Sequence, residues 1–396
     1  MHSHGETVPQ ATQPPAPPPS AARPGAHRVI FVDLARALAV ALMVQGHTLE
    51  ALLDRAYQSA PWYSAWVFQR GLTSCLFLTL SGFTFSVATL RHWKNHTHPS
   101  RTMASRIRRF GFFVLLGYAL HFPAARFADL SALADDRWRS FLAVNVLQLI
   151  GVSLILLQLL VLVCRTPRMF RTAAFAGAAL VAVATPWAWA TDWSLRLPLW
   201  AAAYLSPATG STFPLTPWAA YVLLGAGLGQ VYQRWGAAHL DLFANRFLFG
   251  AGAVMVVAAS TFSRLPFEPF GPTDFWSTSP NQFLLRAGWV LCVLGVIAYF
   301  SRRLAHLPHV FGAMAQESLL IYFVHLCIVY GSIWNLGLKS YVGASLSLGR
   351  ASLVVVAMVA CMTLLAWGWN WAKHAHGRVA RVVSYAALGY LVWALR

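Results

Sequence analysis

Residues 28–53 read RVIFVDLARALAVALMVQGHTLEALL. The run is long enough to cross a bilayer, which takes about 20 apolar residues on a helix. It nevertheless carries Asp33 and Arg36 near its start, and Gln45, His47 and Glu50 near its end. An ionisable group inside a span costs at least about 2.5 kcal/mol, so such groups face a bundle interior or a wet cavity. At about 100° per residue, His47 lies roughly 20° round the helix from Arg36 and about 16 Å further along its axis. Asp33 falls about 40° from His47 by the same geometry. The three groups share one stripe, which reads as one wall of a polar site running through much of the membrane.

The rest of the chain fits that setting. Of its 396 residues, 58% are hydrophobic and only 11% charged, against about 25% charged in soluble domains. The expected fold is an all-α polytopic membrane protein. Ten further apolar segments follow the first, near 66–90, 110–125, 141–164, 172–190, 216–233, 247–262, 282–300, 316–336, 351–371 and 382–395, which predicts about 10–11 transmembrane helices. Residues 1–27, rich in Pro, Ala and Ser, read as a disordered tail, and 28–396 as the transmembrane domain. The net charge of +18 does not indicate nucleic acid, because the basic residues sit in short loops between apolar runs rather than on one soluble face. Their alternation, roughly two to one in favour of the loops on the N-terminal side, predicts a cytoplasmic N-terminus.

Histidine in such a span suits general-base work, since an imidazole titrates near neutral pH and can take a proton from a hydroxyl or amine. The competing use of His47 is a hydrogen bond between helices; Glu50, one turn on, could orient the ring. Arg36 stays charged and needs a partner. Asp33 at i−3 supplies one, or the guanidinium holds an anionic cofactor group such as a phosphate.

Ser81 and Gly82 permit close helix approach, and Ser81 also offers a hydroxyl. The basic run from Arg91 to Arg109 reads as a membrane-surface signal, and more sharply as a landing place for a polyphosphate through Arg106 and Arg109. Its histidines carry only a weak metal signal, and no metal is expected. Gly225-x3-Gly229 lies inside an apolar span without a preceding strand, so it reads as a packing face and not a nucleotide loop. The five cysteines form no CxxC pair and read as small hydrophobes. Loops 126–140, 191–215 and 263–281 are long enough to receive a polar acceptor or to cap an aromatic belt. Late in the chain, Ser318, Tyr322 and His325 share a helix face at spacings of 4 and 3.

These residues together carry a resemblance. Arg36-x10-His47, with Asp33-x2-Arg36 before it, resembles the opening of the membrane acyltransferase family 3, and SLLIYFVH at 318–325 resembles the serine, tyrosine and histidine helix near the end of such proteins. NVLQLIGVS at 145–153 and FPLTPWAAYVLLGAGLG at 213–229 look closer to the related heparan-alpha-glucosaminide N-acetyltransferases. The chain departs from that branch at Arg70-Gly71, where an acid is common. The resemblance implies a polytopic enzyme, expected in a bacterial inner membrane, that moves an acyl group, often acetyl, from cytoplasmic acyl-CoA to a glycan or other small polar acceptor on the far side. It further implies His47 as catalytic base, Arg36 on the donor side and Asp33 holding Arg36. Ser81, Arg106 and Arg109 are then candidates for the donor site, and Glu50, Ser318, Tyr322 and His325 for the acceptor side.

Direct attack on the thioester and transfer through an acyl-histidine both fit these residues, as does either an oxygen or a nitrogen acceptor. The sequence leaves homo-oligomerisation open. The main competing reading is a non-catalytic transporter or flippase whose polar groups line a path, although no inverted pair of broken helices stands out.

Overall fold

The computed structural model describes residues 29–124, 126–265 and 273–393. The expected tail at 1–27 lies outside them, as do the middle of the 263–281 loop and the last three residues. Twelve principal helices make up the described chain: α1 Ile30–Leu52, α2 Pro61–Leu90, α3 Arg101–Leu120, α4 Val146–Val163, α5 Pro167–Ala190, α6 Leu215–Val231, α7 Leu240–Phe262, α8 Pro280–Ser301, α9 His309–Gln316, α10 Ser318–Tyr330, α11 Leu348–Ala375 and α12 Gly377–Trp393. Among the described residues, the one sheet is a two-residue antiparallel ladder pairing Gly331–Ser332 with Asn335–Leu336. The protein is an all-α polytopic membrane protein.

Seven of these helices (α1, α2, α4, α5, α7, α8 and α11) are long and apolar enough to cross a membrane. An eighth span results if α9 and α10, bent by 74° at Glu317, count as one. The count is smaller than the sequence pattern predicts, for local reasons. All the expected segments are helical, but α3 spends its first turns on Arg101, Arg106, Arg108 and Arg109. Helix α6 has only 17 residues before it runs into a π-helical turn at Tyr232–Gly236, and α12 opens with Arg378 and Arg381.

Helix α1 is the hub, packed against α2, α8, α9, α10 and α11. Its sequence explains this: Ala35, Ala37, Ala39, Gly46 and Ala51 are buried, and small residues let neighbouring backbones approach where lipid removes the hydrophobic drive between helices. The α9–α10 bend places Glu317 almost out of reach of solvent, at 5% exposure. Lys373 of α11 pairs with its carboxylate at 2.6 Å, and the Asn370 amide donates to the same group at 3.1 Å. A buried carboxylate is tolerated only when it is paired in this way.

Helices α2 and α6 make the tightest crossing. A Cβ added at Gly82 would meet the Val222 carbonyl oxygen at 1.8 Å, and one at Gly225 would meet the Thr79 carbonyl oxygen at 1.9 Å. Backbone lies directly on backbone there, as the small-residue pattern in both segments predicts. The 191–215 segment is open in its first half, with Leu195 and Trp200 exposed, and packed in its second: Ala202 and Ala203 are fully buried, and the Phe213 N–H donates to the Val144 carbonyl at 2.9 Å. Of the cysteines, Cys75 and Cys164 are buried as expected, whereas Cys361 is exposed on α11.

Gly225→Ala therefore forces two backbones apart. Overpacking of this kind costs about 1–3 kcal/mol, so the variant is expected to show a lowered thermal midpoint in detergent. Gly389→Ala, where nothing lies within 4 Å of the added carbon, is the control and is expected to leave that midpoint unchanged.

Candidate active site

His47 faces α10 near the C-terminal end of α1. Its Nδ1 lies 3.3 Å from the Tyr330 hydroxyl, which is also 3.2 Å from Glu50 Oε2 and 3.4 Å from the His47 carbonyl oxygen. The phenol has one proton for these three neighbours. The carboxylate is the strongest acceptor of the three, because charge-assisted hydrogen bonds are roughly twice as strong as neutral ones. With Tyr330 donating to Glu50, its oxygen is left to accept from His47 Nδ1–H, and Nε2 keeps the lone pair. A general base needs that tautomer. Glu50 thus acts on the imidazole through Tyr330, a residue the sequence pattern did not single out.

Glu50 is itself held by an ion pair with Arg70 of α2. The side chains of Arg70 and Glu50 are 37% and 40% exposed, so the pair sits at a solvated mouth, where it is worth little to stability. Its effect is positional. The Arg70 stem lies against α1 at Gly46, where an added Cβ would meet Cγ at 3.0 Å, and its guanidinium stands 5.5 Å from the Trp66 ring. Lys339 Nζ lies 5.4 Å above the Tyr330 ring from the other side.

His325 completes the group. Its ring centroid lies 5.4 Å from that of His47 and 5.8 Å from that of Tyr322. It is fully buried. The Nδ1–H donates to the Ile321 carbonyl at 2.7 Å, and Nε2 is buried without a hydrogen-bond partner. Helix α10 therefore brings Tyr322, His325 and Tyr330 to one place facing α1. Ser318, at the first turn of α10, is half-buried.

The other expected residues lie elsewhere. Arg36 donates to the Thr84 hydroxyl of α2 at 3.2 Å, at the opposite end of α1 from His47, and Asp33 is half-buried one turn before it. The Ser81 hydroxyl is turned back to the Phe77 carbonyl at 2.8 Å, so it serves its own helix. Arg106 donates to Thr89 at 3.0 Å and to Gln158 at 3.3 Å, lies 3.2 Å from His96 Nδ1, and sits over the Phe85 ring at 4.6 Å. It ties α2, α3 and α4 together. Arg109 is exposed.

The model of the family described as heparan-alpha-glucosaminide N-acetyltransferase, catalytic, matches residues 28–261, well over half the chain. The chain belongs to this family. Membership makes it a membrane-embedded member of an acetyltransferase, hence transferase, family. The match takes in Arg36, His47, Glu50 and Arg70, and it ends before α8, so Tyr322, His325 and Tyr330 lie beyond it. No curated protein matches the sequence.

His96 yields a pH prediction. It lies in the turn between α2 and α3, is 4% exposed, and its carbonyl accepts from the Gln158 amide at 3.1 Å. Burial, then the charges of Arg106 and His92, hold its imidazole below the ordinary value. The unfolded chain takes up this proton first, so the contribution is intact above pH about 6.5 and is lost as pH falls below it. Thermal midpoints in detergent are expected to drop between pH 7 and pH 5, with a flatter profile in His96→Asn.

Proposed function

We propose that the protein is an integral-membrane acyltransferase that moves an acyl group, most simply acetyl, from acyl-CoA to a hydroxyl or amine of a carbohydrate-type acceptor, with His47 as general base. The observation that carries the reading is the Glu50–Tyr330–His47 chain of hydrogen bonds at the end of a membrane span. Family membership supports the class of reaction, and the N-terminus-inside orientation supports a donor that enters from the cytoplasm.

The chemistry follows from the tautomer. His47 Nε2 takes the proton from the acceptor O–H or N–H as that atom attacks the thioester carbonyl carbon. The carbon–sulfur bond then breaks, the acyl group stays on the acceptor, and the departing CoA sulfur takes the proton back from the imidazolium. During the step the imidazolium gains from Tyr330 and Glu50, which hold its other N–H. Arg36 and the exposed Arg109 are the donor-side cations, and with about 16 Å between Arg36 and His47 along α1, an extended CoA arm delivers its thioester to the imidazole. Arg106 supports that side by fixing the α2–α4 corner.

The test is acyl transfer from labelled acetyl-CoA by purified, detergent-solubilised protein. His47→Ala is expected to lose about 10²–10⁴-fold in turnover, the usual span for a general base, while keeping the wild-type size-exclusion profile. Tyr330→Phe removes the link to Glu50 and keeps the ring, and is expected to lose less. Transfer that survives His47→Ala at the wild-type rate overturns the assignment.

A further inference from the structure

One arginine in this half of the bundle is left outside the hydrogen-bond chain. Arg286 lies on α8, six residues into a 22-residue helix that is long and apolar enough to span the membrane. Its guanidinium rests on the backbone of α2 at Gly71. A Cβ placed there would meet Nη2 at 3.2 Å, Cζ at 3.3 Å and Nε at 3.7 Å. Gly71 follows Arg70 directly, so α2 sends Arg70 toward α1 and leaves its bare flank to Arg286. Cys75, one turn further along α2, and Tyr221 of α6 lie within electrostatic reach and are 0% and 1% exposed. Arg286 as a whole is half-buried, with its guanidinium against α2 and close to α6.

Nothing described answers its charge. Arg286 has no part in the ion pairs Arg70–Glu50, Arg302–Asp241 and Lys373–Glu317. It makes no hydrogen bond among the described residues, and its Nε is buried without a partner. Two more buried polar atoms without partners lie along the His47 chain: Trp66 Nε1, on the residue whose ring lies beside Arg70, and His325 Nε2, beside His47. A buried polar atom that lacks a partner costs about 1–3 kcal/mol, and an uncompensated charge costs more.

We infer that Arg286 is the recognition site for an anionic group, a carboxylate or phosphate, on the acceptor molecule whose reacting hydroxyl is presented to His47. A guanidinium matches either anion through paired N–H donors. The same charge opposes an ammonium, so an acid-bearing alcohol suits this end of the site better than a charged amine. The inference rests on the acyltransferase reading for the role of the ligand. The ligand's charge is read from Arg286 alone.

The experiment measures binding and turnover separately. Glucose, glucuronate and glucosamine, matched in ring and differing in charge, are titrated in excess salt-matched buffer onto wild type, His47→Ala, Arg286→Gln and Arg286→Lys, all in detergent. Wild type and His47→Ala are expected to bind glucuronate at least tenfold more tightly than glucose, with glucosamine weakest. Arg286→Gln is expected to lose that ratio and Arg286→Lys to keep part of it. Because binding is read without acetyl-CoA present, glucuronate binding by His47→Ala supports the anion site whatever becomes of the catalytic assignment. Glucuronate binding no tighter than glucose, or a ratio unchanged in Arg286→Gln, overturns the site, while transfer to glucose in the same assay leaves the acyltransferase reading standing. Phosphatidylglycerol added to the micelles separates a soluble acceptor from a lipid headgroup. Unchanged glucuronate binding supports the inference, and displacement places the lipid on Arg286 and overturns it.

Discussion

A polar side chain in the middle of an apolar bundle has to find its partner on another helix, because no water or headgroup is at hand to serve instead. Helix α1 carries more of this obligation than its neighbours. It meets it by being thin: buried alanines and Gly46 bring five other helices within reach of one polar stripe. Arg36 is answered from α2, and His47 and Glu50 are answered from α10 and α2 together. The candidate site is thus a by-product of how the bundle closes round α1.

Much of this was legible in the sequence. The apolar runs predict a polytopic helical protein, and the offset between Arg36 and His47 predicts a shared face. The small residues at Gly82 and Gly225 predict the close α2–α6 crossing. Tyr330 could not be read in the same way. It lies five residues past His325, so it is not on that histidine's face by simple helix spacing, and it reaches His47 at the last residue of α10 before Gly331 turns the chain. Ser81 and Arg106 have the right chemistry for a donor site, but the structure turns each to a local task, one bonding its own helix and the other tying three helices. Only the fold decides whether a polar group is consumed by packing. The number of long apolar helices is smaller than the number of apolar segments for a related reason: α3 and α12 open on arginines, and α6 changes to a π-helical turn after 17 residues.

Arg70 and Gly71 illustrate how a departure from a family pattern is read through physics. A cation beside a glycine near the end of a membrane span looks at first like a cost. In the structure the cation is matched by Glu50, and the adjacent glycine gives up its side chain so that a second cation, Arg286, can lie on the backbone.

The bend at Glu317 has a bearing on how such a protein changes over time. Helix α10 is 13 residues long, so Tyr330 stands roughly 20 Å from Glu317 at about 1.5 Å per residue. Small rotations at the pivot become large displacements at the tyrosine. Lys373 and Asn370, which clamp that pivot, belong to α11, and the stretch matched by the family model stops at residue 261. His47 lies within the matched stretch, and the lever that carries Tyr330 lies beyond it. Exchanges on α11 can therefore shift Tyr330 against His47 without touching the imidazole.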